Sequence, residues 1–163
     1  MRQYSHIVHP FGPLYNTDST VLILGSLPSV KSREQQFFYG HPQNRFWPLL
    51  ATLFGEPAPQ SVEEKRALAL RHHVALWDTI YSCDIVGSSD SSIRNVVPTD
   101  LCPILEGSRV RRIFCNGRTS GLYFQKYQAK ALGMEAQVLP STSPANAAWT
   151  MERLLDAWRV ILE

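Results

Sequence analysis

The residues best suited to chemistry fall in three stretches and at two isolated positions. In FFYGHPQNRFW (Phe37–Trp47), three aromatics and a His-Pro-x-Asn run precede an apolar pair. Tyr39 can stack on a nucleobase, and the Asn44 carboxamide can align a water by hydrogen bonds without carrying charge. Phe46 and Trp47 read as core. In GSLPSVKS (Gly25–Ser32), Ser26, Pro28 and Ser29 form a tight polar turn whose N–H and hydroxyl groups suit a phosphate or a flipped sugar. The Gly-Lys-Ser/Thr ending of a P-loop is absent, and a plain strand-to-helix connector is the simpler reading. In LPSTSPANA (Leu139–Ala147), Ser143 and Asn146 read as part of a helix N-cap that also faces a phosphodiester. Asp78 and Asn116 follow apolar runs and supply one acceptor and one donor, although a cap or turn explains each equally well.

Other chemistries lack their residues. No Ser/His/Asp or Cys/His nucleophile pattern occurs, and His72 and His73 read as surface residues beside a strand start. Cys83, Cys102 and Cys115 are odd in number, far apart and never in CxxC spacing. They predict no disulfide framework, metal or cofactor, a reducing compartment, and three buried thiols behaving as small hydrophobes. Sixteen Lys and Arg against 14 Asp and Glu leave a net charge of +2, which permits nucleic acid as a partner without requiring it.

The positioning elements follow from apolar patterning. VLILG (Val21–Gly25) reads as a doubly buried strand. VALW (Val74–Trp77), VRRIFCNG (Val110–Gly117) and VLP (Val138–Pro140) supply three more. Helical periodicity covers Phe46–Phe54, Val62–Arg71, Thr119–Leu132 and Met151–Leu162, with Pro144 near the start of the last. Strands alternating with helices predict a three-layer α/β/α fold around a mainly parallel four-stranded sheet. Ligands of such sheets bind beyond the carboxyl ends of the strands, so the loops after Gly25, Trp77, Gly117 and Pro140 should share one edge. With 163 residues, 44% of them apolar, and no composition break, one domain over 1–163 is expected. There is no apolar run long enough for a signal peptide or membrane span.

Taken together and in order, LILGSLPS, YGHPQNRFW, ALWDTIYSCD, GSSDSSIRN, IFCNGR and LPSTSPANA resemble the uracil-DNA glycosylase superfamily, and most closely its hypoxanthine-DNA (deoxyinosine) branch. The blocks run from about Val21 to Ala147. The resemblance implies a cytoplasmic, prokaryote-like, monomeric base-excision enzyme without a cofactor. Its partner would be DNA carrying a deaminated base, hypoxanthine first and uracil second. It implies that Tyr39, Asp78 and Asn116 hold the base. Ser26, Pro28, Ser29, Ser143 and Asn146 would then hold the DNA backbone. Most branches carry Asp or Asn two residues after the first-loop glycine, where this chain has Leu27. The hypoxanthine branch uses an Asn further along, which matches Asn44. Leu27 also leaves open a catalytically silent nucleic-acid-binding domain of the same fold. Asp90 and Arg94 match the branch but receive no role.

Overall fold

The frame of the protein is a four-stranded, wholly parallel sheet in which every residue of the central strand β2 (Val21–Gly25) is buried. The computed structural model describes residues 3–163, so Met1 and Arg2, which the single-domain and signal-peptide expectations also cover, lie outside it. Strand order is β3 (Val74–Asp78), β2, β6 (Arg112–Asn116), β7 (Ala136–Leu139). Three helices link β2 to β3, namely α1 (Val30–Gln35), α2 (Phe46–Leu53) and α3 (Val62–Arg71). The link from β6 to β7 is α5 (Arg118–Tyr127) and α6 (Ala129–Leu132). These two crossovers step away from the sheet centre in opposite directions. Since parallel crossovers are right-handed, their helices cover opposite faces, and the fold has three layers. The place where the direction reverses, between β2 and β6, opens a crevice at the strands' carboxyl ends.

A second sheet escapes the apolar pattern. β1 (Ser5–Val8), β4 (Ile80–Ile85) and β5 (Arg94–Pro98) pair antiparallel in the order β1-β4-β5. Only Thr79 separates β3 from β4, so the chain leaves one sheet and enters the other within a single residue. Ile80, Cys83 and Ile85 form a small core there with Leu27, Ile93 and Tyr123 packed against it. Leu27 is therefore an anchor between the two sheets, a physical reason for an apolar side chain at that position.

The helix Thr119–Leu132 breaks at Gln128, whose side chain turns inward to donate to Thr79 O and Thr99 O. The final helix, α7 (Met151–Trp158), is capped by Thr150, which accepts from Arg153 N–H. The Ser-Pro-x-Asn run is therefore a set of turns lying ahead of α7 and not its N-cap. α4 (Cys102–Glu106) was not legible at all, and Cys102 is exposed, in contrast to buried Cys83 and Cys115.

α7 packs on α2, bringing Trp158 to 6.0 Å from Phe46 between ring centroids. Trp158 is fully buried and its Nε1–H donates to Pro140 O at 2.9 Å. Trp158→Ala removes a large core side chain and orphans that carbonyl. It should cost about 3–5 kcal/mol, read as a lower midpoint in urea unfolding. A loss under about 1 kcal/mol would contradict this packing.

Candidate active site

The crevice at the switch point is a cavity of about 850 Å³, within the roughly 300–1,000 Å³ range of ligand pockets. Gly25 to Ser29 line it after β2, Asp78 at the end of β3, Asn116 to Thr119 after β6, and Val138 to Ser143 after β7. All nine residues singled out from sequence are in its wall: Asn44, Tyr39, Asp78, Asn116, Ser26, Pro28, Ser29, Ser143 and Asn146. The four loops do share one edge.

Asp78 pairs in register with Gly25 and is nearly buried. Its Oδ2 is bonded to His9 Nε2 at 2.6 Å, while Oδ1 has no hydrogen-bond partner among the described residues. A Cβ on Gly25 would stand 2.5 Å from that Oδ1, so glycine is needed for the carboxylate to lie against the strand end. Asp78 is thus neither a cap nor a turn residue. With Asp78 ionised, His9 Nε2 carries the hydrogen and holds one oxygen, leaving the other for the cavity. His9 is itself boxed by Phe11 and Trp77, at 4.7 and 4.3 Å between ring centroids. Sequence reasoning missed His9 because 69 positions separate it from Asp78.

Tyr39 adopts a left-handed backbone (φ 53°) and stacks on Phe46 at 4.2 Å between centroids. Phe46 takes one face of the ring, so a base can stack only on the other. Its hydroxyl is buried without a hydrogen-bond partner. Burial, reinforced by the Asp78 carboxylate, pushes the phenol far above its usual range, with the Asn116 amide acting weakly the other way. The group stays neutral and remains a donor.

Three side chains form a directed hydrogen-bond chain across the cavity. Asn44 Oδ1 accepts from Phe46 N–H at 2.9 Å and from the Thr142 hydroxyl at 2.8 Å. The first bond also satisfies an N–H at the start of α2 that has no helical partner. Asn116 Oδ1 accepts from Thr142 N–H at 3.0 Å, and its Nδ2 donates to Thr142 Oγ1 at 3.0 Å. Backbone N–H groups can only donate, which settles the orientation of both amides. Both lone pairs of Asn44 Oδ1 are occupied, so Asn44 meets the cavity as a donor through Nδ2. It can hold a water only by donating to it.

The Ser-Pro loop is buttressed from α2. The Arg45 guanidinium donates to the carbonyls of Ser143 and Asn146, each at 3.1 Å, and to that of Trp149. Ser29 Oγ caps α1 and Ser143 Oγ accepts from Ala145 N–H, so those hydroxyls shape their turns. Exposed Arg118, at the first turn of α5, adds a cation to the cavity wall; its place immediately after Asn116-Gly117 was the signal that could have found it. Asp90 joins the wall as well, whereas Arg94 lies 3.6 Å over the Tyr4 ring on the second sheet.

A family model described as the Uracil DNA glycosylase superfamily matches residues 13–162. The chain belongs to the uracil-DNA glycosylase superfamily. A protein from Methanosarcina acetivorans named hypoxanthine DNA glycosylase is 35% identical over 145 residues, which are 88% of this chain and 90% of that one. Its counterpart of the same name in Methanosarcina barkeri is 33% identical over 143 residues, 83% of this chain and 86% of that one. The solution NMR structure of a proposed uracil DNA glycosylase from Methanosarcina acetivorans superposes with a TM-score of 0.79 at 30% identity. That match covers 96% of this chain and all of the other. No group of His, Cys, Asp and Glu among the described residues is arranged to hold a metal ion. No helix among them is long and apolar enough to cross a membrane.

Proposed function

We propose that this chain is a single-domain, monofunctional DNA glycosylase that releases hypoxanthine from deoxyinosine, with residual action on uracil. The observation that carries this reading is the pair of groups on either side of Gly25. Asp78 offers a free carboxylate oxygen and Asn116 has one amide hydrogen beyond that given to Thr142. Hypoxanthine presents N1–H beside O6 and would meet an acceptor and a donor in that order. Uracil carries the same N–H beside a carbonyl and fits less fully. Adenine presents a ring-nitrogen lone pair to Asp78 and is repelled. The curated relatives' names agree with hypoxanthine.

The reaction follows from these groups. The C1′–N9 bond breaks with its electron pair leaving on the base, and the sugar becomes oxocarbenium-like. Asn44 Nδ2 is a donor that would stabilise the departing base, and the free face of the Tyr39 ring would stack on it. Water adds its oxygen to C1′ and gives up a proton, and protonation of the base balances the charge. Rate enhancement rests on positioning and on stabilising the leaving group, because Leu27 supplies no base to the first loop. Ser26, Pro28, Ser29, Ser143 and Asn146 hold the flanking backbone, with Arg118 at a phosphate. We infer also that it works as a monomer in a reducing cell interior; the free cysteines support only the second of these.

An end-labelled duplex with one deoxyinosine, incubated with excess protein and then treated with alkali, should be cut at that position. A uracil duplex should be cut more slowly and an undamaged one not at all. Intact deoxyinosine and uracil strands would point to the silent nucleic-acid-binding reading. Hypoxanthine freed from deoxyinosine nucleoside but not from DNA would point to a nucleoside hydrolase.

A further inference from the structure

Thr142 lies in the cavity wall and joins Asn44 and Asn116, two of the residues assigned above to the nucleotide. Its side chain is fully buried and every polar atom it has is engaged. The amide N–H goes to Asn116 Oδ1 at 3.0 Å, and the carbonyl accepts from Arg45 N–H at 3.1 Å. Its hydroxyl accepts from Asn116 Nδ2 and therefore must give its single hydrogen to Asn44 Oδ1. The run Asn116 to Thr142 to Asn44 is directional and spans 98 residues of sequence between its last two members. With that hydrogen removed, one lone pair of Asn44 Oδ1 becomes free to face the cavity. The amide then loses one of the two constraints that aim its NH₂ group.

We propose that Thr142 is a positioning residue for base release, whose hydroxyl orients Asn44 so that the carboxamide offers only donor hydrogens to the nucleotide. This inference rests on the glycosylase reading. A hydrogen-bond chain of this kind is stiff because each partner's remaining valences are already used. It also ties the loop after β6 to that after β7, where Asn116 keeps its orientation without the hydroxyl because its Oδ1 still accepts from Thr142 N–H.

Thr142→Val keeps the branched shape and removes the hydroxyl, and Thr142→Ser keeps the hydroxyl. In single-turnover release from a deoxyinosine duplex, Thr142→Val should be slower by about 10- to 100-fold, with abasic-DNA affinity changed by less than about threefold. Thr142→Ser should recover to within about threefold of wild type. In an Asn44→Ala background, Thr142→Val should cost little more, because it acts through a side chain already gone. A Thr142→Val rate within about twofold of wild type, or the same loss repeated in the Asn44→Ala background, overturns the proposal. An activity-free measurement on the unmodified protein separates this from failure of the glycosylase reading. The Thr142 hydroxyl proton should exchange slowly enough to be seen by NMR, with a contact to the Asn116 side-chain amide. A fast-exchanging hydroxyl overturns the hydrogen-bond chain even if activity is found. A protected hydroxyl in a protein that cleaves no DNA overturns the functional reading alone.

Discussion

Asn44→Ala is expected to slow release of hypoxanthine from duplex DNA by about 10²- to 10³-fold while abasic-DNA binding persists. This is the usual loss when one preorganised donor to a developing negative charge is removed. Asn44 is half-buried, its oxygen is tied at 2.9 and 2.8 Å, and only Nδ2 is left to act. The more telling variant is Asn44→Asp. One carboxylate oxygen would take over both bonds, and the other would bring negative charge to the place where the departing base gathers its own. If Asn44 works as a donor, Asp should be no better than Ala. If it worked by accepting from water, Asp would restore or exceed the native rate. Single-turnover rates of the two variants decide between these. Near-native cleavage by Asn44→Ala would remove the residue from the mechanism altogether.

Asp78→Asn should weaken the preference for hypoxanthine at the other end of the pocket. His9 Nε2–H would keep the carboxamide oxygen, as it now keeps Oδ2 at 2.6 Å. The NH₂ group would then face the cavity and meet the N1–H of hypoxanthine donor to donor. A mismatch of this kind in a desolvated site costs about 1–3 kcal/mol, which lowers kcat/KM for deoxyinosine by about 10- to 100-fold. Uracil, which fits the pair of groups less fully, should fall by less, so the ratio of hypoxanthine to uracil release drops and the profile flattens. His9→Phe provides the companion measurement. It preserves the aromatic box around Phe11 and Trp77 but releases Asp78, which should lower the preference without reversing it. An unchanged ratio of hypoxanthine to uracil release in Asp78→Asn would take Asp78 out of base recognition.

The two variants illustrate how unevenly the site could be read in advance. Tyr39 and Asn44 were visible because three aromatics and a loop-side carboxamide crowd into Phe37–Trp47 just ahead of an amphipathic helix. Asp78 and Asn116 were visible because each closes an apolar strand, and strand ends in a parallel sheet converge on one edge. Their roles were less legible. Asn44 was expected to align a water; which of its amide atoms faces the cavity depends on Thr142, far along the chain. The second sheet was missed because Ser5–Val8 is too short to show a period and β4 follows β3 after one residue. Cys102 was expected in the core and is exposed on α4.

The sequence by itself determined the layered α/β frame, the shared edge and the cast of polar side chains. These depend on local patterning: four apolar runs, intervening helical stripes and the loops between them. Only the tertiary structure decided which atom of each side chain is free. His9 claims one oxygen of Asp78 and leaves the other. Thr142 and the first N–H of α2 claim the oxygen of Asn44 and leave its nitrogen. The physical reason is that a hydrogen bond is spent on whichever partner the fold brings within about 3 Å, and no spacing along the chain records that distance.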